Sequence, residues 1–434
     1  MQQQPEVEAS EPFAFSDAEC DRSGKVTKLQ KQPFAPRLGL LFACALGVGV
    51  TVLPATTQSF FREAISNDVG WSISRMSLAY TLYVLVLILA LPLAGRIADR
   101  VDTRRFTLAS LAAFGVTVAL SGFFITSVAG YFASFVLLGL FGAGASAVVF
   151  ARFVTMAFPD RLGTALGLTF AGFGLGTGIF PPLTQYIIDE HGWRSAYLGL
   201  GATVLLIVLP IQIFFLKEAP RAATNPATRT QNEPVSEGIS RPEAVRTLHF
   251  WQLSLVMLLF GLALTGVTAN LVTLLKDEGI SPMEVGKMFT FMGFASIGGR
   301  IVGGWLLDRI PAQIVGGSIG TLGALALLGF MLAGEYEAAA MVCSTLLGFS
   351  YGGESDIASY LCRRYFGRRS FSEIYGFQLS SYYLGSAIGP VLVALMIEHD
   401  VSSRNILMAV VAVYMVVITL IFTLKRPPAL THFK

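Results

Sequence analysis

Charge is scarce in this chain of 434 residues: Asp, Glu, Lys and Arg together make up 14% of it, against roughly a quarter in soluble domains. With 53% of the residues hydrophobic, that shortfall excludes an ordinary water-soluble globule. Cysteine is nearly absent too. Cys20, Cys44, Cys343 and Cys362 are the four present, and no two stand at metal-ligand or redox-motif spacing, so no metal centre is expected. A phosphate-cradling Walker sequence is missing, which points to a gradient rather than ATP as the energy source. No nucleophile, base and metal residues share a usable spacing, so neither an enzyme nor a cofactor is expected. The net charge of +3 gives no case for nucleic acid, since Lys and Arg gather at the ends of apolar runs, where they set topology. Residues 1–36 lack the apolar stretch of a cleavable signal: they are polar, acidic up to Asp21 and basic through Lys25, Lys28, Lys31 and Arg37, and predict a disordered cytoplasmic tail.

What the chain has in quantity is apolar runs of membrane-spanning length. A hydrocarbon core of about 30 Å needs roughly 20 consecutive apolar residues. Such runs cover 38–60, 75–96, 106–126, 131–155, 163–187 and 195–216, then 250–273, 284–306, 313–333, 338–362, 373–396 and 405–424. The 33 Phe and 44 Gly suit helices that fill a lipid-facing surface with rings and approach each other across small residues. The pattern predicts an all-α polytopic membrane protein of twelve transmembrane helices. A six-helix bundle over 37–216 and a second over 249–426 are joined by a linker, 217–248, rich in Pro and polar residues; 427–434 is a short tail. Most of the 31 Lys and Arg fall on the side of both termini, which predicts a bacterial inner-membrane protein with both ends cytoplasmic.

The second half repeats the first at a constant offset of 209 residues, the step from Gly70 to Gly279. Asp99 then falls on Asp308, Arg100 on Arg309, Gly139 on Gly348, Gly144 on Gly353, Gly167 on Gly376 and Pro181 on Pro390. Both copies start on the same side of the bilayer, so the two bundles are related by a pseudo-twofold axis along its normal.

Between spans 2 and 3 stands Gly95-Arg-Ile-Ala-Asp-Arg-Val-Asp-Thr-Arg-Arg105, with a degenerate copy, Gly303-Gly-Trp-Leu-Leu-Asp-Arg-Ile-Pro311, between spans 8 and 9. This resembles the loop motif of the major facilitator superfamily. The resemblance implies that Gly95 permits close helix contact, and that Asp99, Arg100, Arg104, Asp308 and Arg309 form a charge latch holding the cytoplasmic side shut; Arg104 and Arg105 also read as topology markers. Phe61-Arg-Glu63 with Gly70-Trp-Ser-Ile-Ser-Arg-Met-Ser77, and Gly352-Gly-Glu-Ser-Asp-Ile-Ala-Ser-Tyr-Leu-Cys-Arg-Arg-Tyr-Phe-Gly367, resemble the monocarboxylate-porter-like branch, especially its bacterial organic-acid importers. That branch keeps an arginine in span 8, the place of Arg300. Here the acid one turn earlier is Ser296, no lysine lies in span 1, and Leu138 replaces the superfamily's usual span-4 arginine.

Charges inside spans mark function because each is costly there, at least about 2.5 to 3.5 kcal/mol for an isolated cation. Arg300 has three readings: a guanidinium that takes a substrate carboxylate through two parallel hydrogen bonds, a structural pair with Asp308, or a cation snorkelling to the interface. Glu354 and Asp356 point to different faces of span 10. Burial favours the neutral carboxyl group, so either is a candidate proton carrier, or else a helix-packing partner. Arg152, near the end of span 4, reads as a snorkelling or gating charge. Gln58, Asn270, Gln378, Tyr382 and Tyr383 supply an amphipathic cavity wall. Span 5, with Gly172, Gly174, Gly176 and Gly178 before Pro181-Pro182, partly resembles the antiporter motif of drug exporters, though packing and bending explain it as well.

The combined expectation is a monomeric secondary transporter that moves a small organic anion by alternating access with proton coupling. An exporter or importer of a larger amphipathic compound is the alternative, and a non-transporting receptor a further one.

Overall fold

The computed structural model describes residues 18–20, 26–28, 38–216, 238–276, 282–331 and 337–424. Most of the linker, 217–237, and the end of the chain from 425 lie outside the described residues, as does most of the N-terminal tail. Within that tail two short strands, β1 (Ala18–Cys20) and β2 (Val26–Lys28), pair antiparallel with Glu19 opposite Thr27.

From Leu38 on, the described chain is helical. The first half holds α1 (Leu38–Thr51), α2 (Leu53–Val69), α3 (Ile73–Arg100), α4 (Thr103–Phe124), α5 (Val128–Gly144), α6 (Ala147–Ala157), α7 (Leu162–Thr203), a π-helical turn (Val204–Val208) and α8 (Leu209–Phe215). After the short α9 (Arg241–Val245), the second half holds α10 (Leu248–Lys276), α11 (Pro282–Leu307), α12 (Ala312–Phe330), α13 (Glu337–Phe366), α14 (Phe371–Glu398) and α15 (Ser403–Thr423). Twelve crossings result. The α1–α2 and α5–α6 pairs each make one interrupted span, while α7 is two spans merged across Gly192, whose φ of 80° breaks the helical backbone. Starts and stops follow local chemistry. Ser72, Asp102, Ser127 and Ser402 accept backbone N–H groups in the first turns of α3, α4, α5 and α15, and Gly70, with φ 76°, ends α2.

Nine helical stretches among the described residues are long and apolar enough to cross a membrane. Neither α11 nor α13 is among them, although both are long enough: these two helices carry Arg300 and the pair Glu354 and Asp356.

Each half packs around its own buried aromatics, Phe114, Phe150 and Phe170 in the first and Phe260, Phe330 and Tyr414 in the second. Lipid supplies no hydrophobic drive between helices, so close backbone approach at small residues carries the packing. Gly172 and Gly176 of α7 lie against the carbonyls of Ala45 and Gly49 in α1, and 209 residues later Gly385 of α14 lies against the carbonyl of Leu258 in α10. The halves meet along two seams, α3 on α14 and α7 on α11.

The described end of the linker is built into the second half. Ile239 donates to the Phe366 carbonyl at 3.0 Å, and Gly238 bridges to Gly367. The Glu243 carboxylate accepts from the Ser240 N–H at 2.7 Å, which holds its pKa below the ordinary range.

Candidate functional site

The centre of the molecule lies where α7 of one half meets α11 and α13 of the other. Gly167 lets the carbonyl of Arg300 pack directly on α7, and Gly352 brings α13 against Ser296 and Arg300. Small residues thus place a cation between three helices. The Arg300 side chain is 5% exposed, and its Nη1 stands 3.6 Å from Oδ1 of Asp356, which is fully buried. Its guanidinium lies over the Phe173 ring at 4.9 Å and near the Tyr351 ring at 5.8 Å. Tyr351 is 38% exposed, whereas Arg300 beside it is buried.

Glu354 is 1% exposed, and neither of its carboxylate oxygens has a hydrogen-bond partner among the described residues. It interacts electrostatically with Arg300 and Tyr382. The two acids of α13 therefore differ: Asp356 faces the guanidinium on α11, while Glu354 is enclosed without a donor. Arg300 pairs with Asp356 rather than with Asp308, whose carboxylate accepts the N–H groups of Gly163 and Thr164 instead.

Beside this cluster a cavity of about 20 Å³, room for about one water, lies between the halves; Tyr83, Ser146, Phe173 and Tyr383 are among its walls. Tyr382 and Tyr383 meet edge to face at 5.9 Å, and Tyr80 stacks on Tyr83 at 5.6 Å. Other polar residues expected in the wall bond to backbone. Asn270 donates to the carbonyls of Gly266 and Pro390, and Gln378, fully buried, donates to that of Phe250 at 3.4 Å. Gln58 is half-buried on α2. Phe173, Tyr351, Tyr80 and Tyr83 escaped the sequence reading. The turn spacing of Tyr80 and Tyr83 on one span was a usable signal, whereas nothing distinguishes Phe173 among 33 Phe.

The seams close at one end through two related latches. Asp99, at the end of α3, accepts the N–H groups of Ser372 at 3.3 Å and Glu373 at 2.9 Å, the first residues of α14. Asp308, just past α11, accepts those of Gly163 at 2.6 Å and Thr164 at 2.8 Å, the first residues of α7, and the Thr164 hydroxyl at 2.6 Å. Each aspartate caps the opposite half's helix N-terminus, where orphan N–H groups and the helix dipole favour an anion. All three residue pairs obey the 209 offset. Gly95 and Gly304 complete the match, since a Cβ at either would collide with the carbonyl of Ser372 or Gly163.

The cation at Asp99 is Arg152 of α6, whose Nη1 pairs with the carboxylate while its Nε donates to Thr103 at 3.2 Å. The motif's own Arg100 is exposed. Arg309 folds back onto Trp305, and Arg104 ties α4 to the Ile213 carbonyl at 2.7 Å. Farther from the latches, near the middle of α11 and within the first span of α7, Gly293 and Gly178 have only open space beside their Cα atoms. The halves thus pack closely from the latches as far as Gly174, which lies against the Ile297 side chain.

The family model of the Major Facilitator Superfamily matches residues 38–390. The chain belongs to that superfamily. Its members are transporters rather than enzymes, and this one is a multi-pass membrane protein. It is 25% identical over 346 residues to "Uncharacterized MFS-type transporter YhjX" of Escherichia coli, covering 77% of this chain and 81% of the relative. It is 27% identical over 351 residues to the gallate transporter of Pseudomonas putida, covering 70% and 75%. Among solved structures, the fold resembles the superfamily transporter FucP in the outward conformation, with a TM-score of 0.68, 14% identity, and coverage of 90% of this chain and 98% of that one.

Proposed function

We propose that the protein is a secondary transporter for a small organic anion, an aromatic or aliphatic carboxylate, which it moves across the bacterial inner membrane by alternating access with proton coupling. The observation that carries this is the enclosed Arg300 guanidinium at the junction of the halves, faced by Phe173 and Tyr351. A carboxylate reaching this point would take two parallel hydrogen bonds from Arg300 in place of the long Asp356 contact, and the two rings suit an apolar or aromatic body. The relative named as a gallate transporter supports an aromatic carboxylate. Glu354, enclosed and without a donor, is the group on which the coupled proton would ride. On this reading the latched end faces the cytoplasm, and both termini lie on that side.

Counterflow of labelled aromatic and aliphatic monocarboxylates in proteoliposomes tests the proposal. Arg300→Gln removes at least one charge-assisted hydrogen bond, worth about 1.5 to 3 kcal/mol, so apparent affinity should fall at least about 10- to 100-fold. Anion exchange at the wild-type rate by correctly folded Arg300→Gln would defeat the reading, and flux of a neutral amphipathic drug alone would favour an exporter.

A further inference from the structure

Along the α3–α14 seam a cleft of about 450 Å³ opens on the outer surface of the bundle. Its wall includes Leu89, Leu93 and Leu384, which are 72%, 59% and 40% exposed. In a bilayer such a surface faces acyl chains. The chemistry changes within about two turns: Arg96, exposed near the end of α3, and Arg241 of α9 stand at the same cleft with the carboxylate of Glu373. Arg241 lies over the Phe377 ring at 4.8 Å and reaches Glu373 at 3.5 Å while remaining 40% exposed. Two guanidinium groups against one carboxylate leave the mouth positive, at the helix-end level where lipid headgroups sit.

We infer that this cleft binds a phospholipid with an anionic headgroup, its phosphate between Arg96 and Arg241 and one acyl chain along Leu89, Leu93 and Leu384. A soluble anion would match the charge but not the long apolar wall, and a zwitterionic lipid would match the wall but gain less from the charge. Arg96 belongs to the first half, whereas Arg241 is packed against α14 of the second. The bound lipid therefore straddles the seam that must part when the Asp99 end opens, and it holds the latched conformation by binding that form more tightly.

Native mass spectrometry of the purified full chain, in detergent with equal phosphatidylglycerol and phosphatidylcholine, reads the preference directly. A net extra positive charge predicts about fivefold greater retention of phosphatidylglycerol. Phosphatidylglycerol should also raise the unfolding midpoint more than phosphatidylcholine does. Both differences should vanish in the double variant R96Q and R241Q, and Leu89→Trp, which fills the cleft while keeping both charges, should abolish retention as well. Equal retention of the two lipids by the wild type would overturn the inference. So would a phosphatidylglycerol effect that persists in a folded double variant, or an equal thermal shift with glycerol 3-phosphate, which would mark a site for soluble phosphates.

Discussion

Arg300 was visible in the sequence because a cation inside an apolar run contradicts its surroundings. Its partner was not visible, since fifty-six residues separate it from Asp356 and only the contact of α11 with α13 joins them. The same contact divides the labour of the two acids, which spacing alone could only say face different ways. If Glu354 carries the proton while Asp356 steadies Arg300, Glu354→Gln should abolish gradient-driven accumulation yet leave counterflow, which needs no net proton movement, within about twofold of wild type. Loss of counterflow as well would make Glu354 a structural group. Phe173 invites a second test. Truncating a ring that packs on guanidinium and substrate removes about 0.5 to 1.5 kcal/mol of aromatic contact, so Phe173→Leu should weaken an aromatic carboxylate about three- to tenfold more than an aliphatic one in competition uptake.

At the scale of elements, span positions were legible almost throughout, because twenty-residue apolar runs leave little freedom of assignment. The interruptions within spans were not read, although Pro54 opens α2 and Gly144 ends α5, because both lie inside otherwise continuous apolar runs. The repeat was the more telling signal: one offset, found by matching letters, reappears as two interhelix latches with corresponding donors and acceptors. Their asymmetry escaped the sequence reading. Arg152 has Leu361 as its counterpart, so among the described residues only the Asp99 latch holds an ion pair, with side chains 17% and 6% exposed. Losing one partner of a buried pair costs about 3 to 5 kcal/mol, whereas loss of a capping group costs about 0.5 to 2 kcal/mol. Asp99→Asn should therefore lower the unfolding midpoint of the purified protein well below that of Asp308→Asn. Removing the cation too, in Asp99→Asn with Arg152→Gln, should recover part of the difference; equal midpoints for the two single variants would remove the ion pair from the account.

For the whole molecule, the closed latches belong to one conformation, and transport by alternating access requires one in which they part as well. Opening the Asp99 end must break the caps on α7 and α14, pull Gly304 off Gly163 and Gly95 off Ser372, and so expose a path to Arg300. A covalent tie across the latch should forbid this without disturbing the central site. Thr164 and Asp308 touch through their side chains at 2.6 Å, near enough for a short reducible bis-methanethiosulfonate reagent to bridge cysteines placed there. In Thr164→Cys with Asp308→Cys, the bridge should stop flux, reduction should restore it, and the single variants should be indifferent to the reagent. Substrate binding measured on the bridged protein should survive, because the tie at Asp308 lies about two helical turns from Arg300 on α11. Flux that continues at full rate with the bridge intact would mean that the seam does not part, and that solute crosses by a route other than the junction of the two halves.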